Sequence, residues 1–241
     1  MKAFFNTTED QAHAIARASL ARTQGQFFAF GRYWDGERGN VSGVMYNMCL
    51  EVGQPEQDVA NYSEAVHGIP SDVAGIINDI FGGLSCHDDK DLHQHWAERV
   101  YEAIPPGADL SKVPDTLAVY MLEHTEWLAD YGSDKAGRLV GFMYAIFLLR
   151  MEGIDQTKRL NNFYYDHIHK LYRHQTDVRR NNENYVMAAL RSICGVDTNT
   201  NGAWHYFISH ACHGSAVHKR TKYANRVADL SDIFIQMIKD C

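Results

Sequence analysis

Along most of this chain apolar residues recur at the three- and four-residue spacing of a helix and rarely at the alternate spacing of a strand. Thr7 or Thr8, with Asp10 or Gln11 three residues on, reads as a cap. It opens a helix with Ala12, Ile15, Ala16, Ser19 and Leu20 as its face, stopping near Gly25. Gln26 to Trp34 is short and aromatic-rich, the best strand candidate, and Asp35-Gly36 and Arg38-Gly39 follow as turn signals. Val41, Val44, Met45, Met48, Cys49 and Val52 then predict a helix to about Gly53; an alternative hairpin with Asn40 to Tyr46 as second strand fits the spacing less well. A short helix from Glu56 places Val59, Tyr62 and Val66 on one side, and His67-Gly68-Ile69-Pro70 breaks it.

Val73, Ile76, Ile77, Ile80, Phe81 and Leu84 make the next apolar face, which ends at Gly82-Gly83. Asp88 or Asp89 caps a helix with Leu92, Trp96, Val100, Ala103 and Ile104 inside, until Pro105-Pro106 stops it. Val113, Leu117, Tyr120, Met121, His124 and Leu128 line another. Ser133 or Asp134 caps the most apolar element, Leu139 to Met151, whose apolar residues fall on every side. Such a helix, about residues 137–151, is expected at the centre of the core and covered all round. It is shorter than the ~20 residues of a membrane span. Leu160 to Val178, Tyr185 to Ile193, Ala203 to Cys212 and Ala216 to Lys239 complete an all-α chain, with at most one small strand or hairpin element near residues 27–46.

No Gly-, Ser- or Pro-rich linker divides the 241 residues, so one helical domain spanning residues 1–241 is expected. Charge adds a division that the apolar pattern lacks. Residues 1–154 carry 11 Lys and Arg against 22 Asp and Glu, and residues 155–241 carry 12 against 8, giving an acidic lobe of −11 and a basic one of +4 within a net charge of −7. Five cysteines, odd in number and without a CxxC pair, favour reduced thiols in a cytoplasm. The opening MKAFFNTTEDQ has no apolar run of the signal-peptide kind, so neither a leader nor an anchor is expected.

Three blocks, RYWDGERGNVSG (residues 32–43), YSEAVHGIPSDVAGIINDIFGGL (62–84) and WAERVYEAIPPGADLS (96–111), resemble a set of bacterial and phage-borne proteins of no assigned activity. In that set a GIP turn leads to a D-x-I-F-x-G-L helix and then to an A-I-P-x-G-A-D-L-S turn. The closing YANRVADLSDIFIQMIKDC is similar to the ends of such chains. Members carry cysteines after the first glycine turn, where this chain has Asn40 and Val44. The resemblance implies a phage or mobile-element lineage and supplies no catalytic residues.

Candidate chemistry is sparse. Gly36, Gly39 and Gly43 form a glycine turn feeding a helix, which can offer N–H groups to an anion, but the Lys-Ser/Thr pair of a P-loop is missing. Arg32, Asp35, Glu37 and Arg38 make this the most chemically varied loop of the N-terminal half. Asp109 and Ser111 sit where a helix starts, and capping is their expected role. The 13 histidines cluster, and His210 and His213 share a helical face that could ligate a metal, yet no HExxH, CxxC or H-x-E…PCxxC accompanies them. No cofactor is expected. Arg173, Arg179, Arg180, Lys219, Arg220 and Lys222 lie mostly off the apolar stripes and form a basic surface suited to an acidic protein face or a protein–nucleic acid complex. The acidic overall balance weakens direct nucleic-acid binding, and no membrane partner is expected.

The reading that follows is a cytoplasmic accessory protein acting by binding a macromolecular partner, inhibition of a host defence system being one such role. Enzymatic activity is the lesser expectation, as a metal-dependent or other hydrolase using the 32–43 loop or a His cluster.

Overall fold

A computed structural model describes residues 3–28, 33–46, 56–124, 134–168, 182–194, 207–208, 211–212 and 220–241. Helix dominates these residues and no sheet occurs among them; the strand content is limited to isolated bridges of Gly39 with Phe27 and with Trp34. The helices are α1 (Thr8–Thr23), α2 (Val41–Met45), α3 (Glu56–His67), α4 (Ser71–Leu84), α5 (Lys90–Gln94), α6 (Trp96–Ala103), α7 (Val113–Glu123), α8 (Asp134–Met151), α9 (Thr157–Phe163), α10 (Asn182–Cys194) and α11 (Arg220–Lys239). The all-α class expected from the apolar spacing is therefore the class of the structure. No described helix is long and apolar enough to cross a membrane.

The chain divides into two compact units, one of Met1–Val113 with Ala224–Cys241 and one of Pro114–Tyr223. The charge asymmetry follows this division: 10 Lys and Arg against 19 Asp and Glu make the first unit acidic, and 13 against 11 leave the second weakly basic. The lobes expected at 1–154 and 155–241 each extend over both units, because contacts, unlike charge runs, return the C-terminal helix to the N-terminal segment.

In the first unit Thr7 caps α1, its side chain accepting from the Asp10 N–H. The buried side of α1 is Ala14, Ala18 and Ala21, while Leu20 is exposed, so the face expected at Ala12, Ile15, Ala16, Ser19 and Leu20 is rotated. Small side chains win this face because α1 lies close against α6. There Gln11 reaches across to donate to the Tyr101 and Ile104 carbonyls at 3.0 and 2.7 Å. The α4 face holds as expected, with Val73, Ile76, Ile77, Ile80, Phe81 and Leu84 all buried. Trp96 is fully buried, its indole N–H donating to the Ile77 carbonyl of α4 at 2.9 Å and its ring against Phe234 of α11. On α3, Val66 of the expected face is exposed, Tyr62 is half-buried, and Ser63 and His67 face in; the Val59 side chain lies outside the described residues. The Ser63 hydroxyl donates to the Ile69 carbonyl, which fixes the turn after α3.

In the second unit α8 packs on α10, and Arg150 pairs with Asp115 of α7 while lying over the Phe147 ring. Ala136, Leu139, Val140, Met143, Ile146 and Phe147 are buried. Gly141, Phe142, Ala145 and Leu148 are exposed, so the expectation of a helix covered on all sides is corrected. Apolar residues all round a helix state what could be buried; neighbouring elements decide what is. Phe142, 48% exposed, keeps partial cover by stacking on buried Phe163 of α9, with centroids 5.1 Å apart and planes 9° from parallel.

Phe147→Asp places an unpaired charge in the core and should abolish the cooperative melt. Phe142→Asp should remain folded, with a loss on the order of 1 kcal/mol from the ring stack. Circular dichroism melts of the two variants check this, and equal damage would contradict the one-sided placement of α8.

Candidate functional site

Of the expected site residues, the 32–43 loop is the group that the structure best defines. Asp35 organises its tip: one carboxylate oxygen accepts from the Glu37 and Arg38 N–H groups at 3.0 and 2.7 Å, and the Asp35 N–H donates to the Arg38 carbonyl. This is the short-range turn that aspartate favours. Gly36 supplies the positive φ, 104°, that the tip needs. Gly39 is held from both sides, donating to the Gln26 carbonyl and accepting from the Phe28 N–H at 2.9 and 2.8 Å.

The glycine spacing has a steric cause. A Cβ at either Gly39 or Gly43 would collide with the Tyr33 carbonyl, which lies across both. The first turn of α2 is also committed internally. Gly43 donates to the Asn40 side chain at 2.9 Å, and Ser42 and Asn78 exchange a reciprocal pair of bonds at 3.0 and 2.8 Å. The N–H groups that an anion would use are therefore satisfied by side chains, which replaces the phosphate-cradle reading with a clamp between backbones.

Arg38, Glu37 and Asp35 are exposed. The Arg38 guanidinium lies over the ring of Phe28, 5.1 Å from its centroid, and Phe28 is itself 41% exposed. Cation and aromatic ring thus stand together at the surface on a backbone fixed by hydrogen bonds and by close approach. Arg32 lies outside the described residues.

Behind the loop, Tyr46 closes α2 and enters a buried cluster. Its hydroxyl shares a hydrogen bond with Nδ1 of His67 at 3.0 Å and lies 3.4 Å from the Tyr101 hydroxyl; Phe4 packs on both His67 and Tyr101. Burial lowers the His67 pKa to about 4, Asp10 opposing and Arg17 assisting the shift. Burial raises that of Tyr101 to about 12. Phe4 reaches this place with φ at 49°, a conformation that L residues seldom adopt, and the Ala3 bonds to Ala108 and Gly107 hold it there. His67, Tyr46 and Tyr101 are buried, so the cluster is a satisfied core network tying α2, α3 and α6. Sequence reasoning missed it, and the usable signal was His67 directly before the Gly68-Ile69-Pro70 turn.

The other candidates fall out as follows. Asp109 caps, accepting from the Ser111 N–H at 3.1 Å, and the Ser111 hydroxyl, together with that N–H, holds its carboxyl below the ordinary range. His124 stacks on Tyr120 with centroids 3.9 Å apart, as a side chain on a helix face does when packing claims it. His93 is buried against Phe81, and burial lowers its pKa to about 4. Lys222 is exposed, as expected, and Arg220 lies in the first turn of α11. Arg173, Arg179, Arg180, Lys219, His210 and His213 lie outside the described residues. Among the described residues no group of three or more His, Cys, Asp or Glu is placed to hold a metal ion. The chain matches no family model, no curated protein and no solved structure.

Gly43→Ala should lower stability by a few kcal/mol, on the order of other forced close contacts, because the obstacle is backbone. Ser42→Ala should cost about 1 kcal/mol by losing a single hydrogen bond; denaturant titration of both orders them. His67 binds a proton in the unfolded chain near pH 6.5 and in the folded one near 4. Its contribution is therefore present above pH 6.5 and is lost as pH falls toward 4, by up to about 3 kcal/mol at 1.36 kcal/mol per pKa unit. His93 titrates in the same window with the same sign. Unfolding measured from pH 7 to pH 5 should show falling stability in the wild type and a shallower fall in His67→Gln.

Proposed function

We propose that the protein acts by binding another macromolecule, with the Phe28 and 35–38 surface as its contact and a protein as the partner. The observation that carries this is the Arg38 guanidinium over the half-exposed Phe28 ring, on a turn locked by Asp35 and by the glycine clamp. Arginine and aromatic side chains carry a disproportionate share of binding energy at interfaces. Ordering them in the free protein reduces the entropy lost on association.

The resemblance of the 32–43, 62–84 and 96–111 blocks supports a phage or mobile-element setting, in which an accessory protein of the cytoplasm binds and inhibits a host defence component. Arg173, Arg179, Arg180, Lys219, Arg220 and Lys222 form a second, electrostatic contact on this reading, one that steers an acidic protein face or a protein–nucleic acid complex.

Affinity capture from host lysate at several salt concentrations tests both contacts. A partner retained by wild type should be lost with the Phe28→Ala/Arg38→Ala pair at every salt level. The Arg179→Glu/Arg180→Glu pair should weaken retention most at low salt, where screening is least. Equal retention of all three proteins would remove both surfaces from consideration. Stoichiometric zinc or iron in protein purified without added metal would replace this reading with the metal-enzyme one.

A further inference from the structure

The outward face of α8 is apolar at its centre and charged towards its ends, and between Arg138 and Glu152 its order is symmetric. Its exposed residues run Asp134, Arg138, Gly141, Phe142, Ala145, Leu148 and Glu152, the last on the turn that closes the helix. At 100° per residue they fall within a stripe about 120° wide. Arg138 and Glu152 lie equally far from Ala145 on either side, and so do Phe142 and Leu148. An identical helix laid antiparallel across this stripe, with the twofold axis at Ala145, brings Arg138 level with Glu152 of the other copy at both ends. It brings Phe142 level with Leu148 at two places between them.

The centre of the stripe is small. A Cβ at Gly141 would meet nothing within 4 Å, so no neighbour among the described residues requires glycine there. Glycine inside an exposed helix costs roughly 1 kcal/mol relative to alanine, and Gly141 with Ala145 leaves room for another backbone to come close. Phe142 is already held by its stack on Phe163 and presents its free side without further ordering. No hydrogen bond or ion pair engages Arg138 or the Glu152 carboxylate among the described residues. Opposite charges at the two ends, equidistant from the centre, disfavour a parallel arrangement, which would set Arg138 against Arg138.

From this order we infer that α8 is a self-association surface, and that its occupant is a second copy of the same chain in an antiparallel, twofold arrangement. The face is isologous, each residue of the pair recurring on the partner. One helical stripe is smaller than the roughly 800 Å² per partner of a standard interface, so the dimer is a weak one that forms with rising concentration. This surface shares no residue with the Phe28 and Arg38 contact and stands independently of it.

Sedimentation velocity over a concentration series reads the equilibrium between the 27.4 kDa chain and its dimer. Wild type should shift toward dimer as concentration rises. Arg138→Glu alone and Glu152→Arg alone should each weaken association by about tenfold or more, because each sets like charges together at both ends. Mixing the two variants should restore it, since the heterodimer regains both opposite pairs. Gly141→Leu gives a second readout: the monomer melts no lower, as the space is open, and the dimer is lost. A wild type that stays monomeric at every concentration, single variants that associate as wild type does, or a mixture no better than either variant alone would each overturn the assignment.

Discussion

The first unit depends on how α6 is held. Trp96 is the largest fully buried side chain there, and its only polar atom donates to the Ile77 carbonyl of α4. A buried indole without a partner would carry an unsatisfied donor, so this bond fixes where α6 can lie along α4. Once α6 is placed, the rest has little freedom. Alanines of α1 come close on one side, Gln11 stitches the end of α6 to α1, and Phe234 packs on the Trp96 ring from α11. Arg22 and Arg99 add ion pairs at the margins, to Glu98 and Asp232; partly exposed pairs contribute little energy but hold orientation.

The candidate contact loop is rigid for a different reason. It is too short and too polar to have a core of its own, so it borrows order from backbone approach. Tyr33 lays its carbonyl across Gly39 and Gly43, Asn40 caps α2, and Asn78 of α4 holds Ser42. Tyr46 then runs from the end of α2 into the His67 and Tyr101 cluster, so the loop is tied to the interior by hydrogen bonds as well as by packing. A surface that presents Phe28 and Arg38 in fixed positions results from buried and half-buried residues behind it.

The second unit shows the opposite economy. One face of α8 is closed by packing on α10 and by the Arg150–Asp115 pair. The other is apolar and open. Leaving Phe142 and Leu148 in water forgoes the burial free energy of those side chains, roughly 25 cal/mol for each Å² of apolar surface.

The helical class, the ends of α1 and α4, the start of α5, the apolar face of α4 and the capping role of Asp109 were legible in the sequence, whereas the break at His95 that parts α5 from α6 was not. The legible features are local properties: a cap, a helical repeat and a turn residue act within a few positions of one another, so their order in the chain is their order in space. The sequence also located the loop that carries Asp35, Glu37 and Arg38, though it left the three glycines open to a phosphate reading. Only the tertiary structure decided that Gly39 and Gly43 make room for a carbonyl, that the inward side of α1 is Ala14, Ala18 and Ala21, and that His67 belongs to a buried network with Tyr46 and Tyr101. It also decided that α8 is covered on one face. Each of these depends on which segment arrives from elsewhere in the chain. Hydrophobic periodicity reports what a helix can bury, whereas burial itself is a property of a pair of surfaces, and the second member of the pair is not written next to the first.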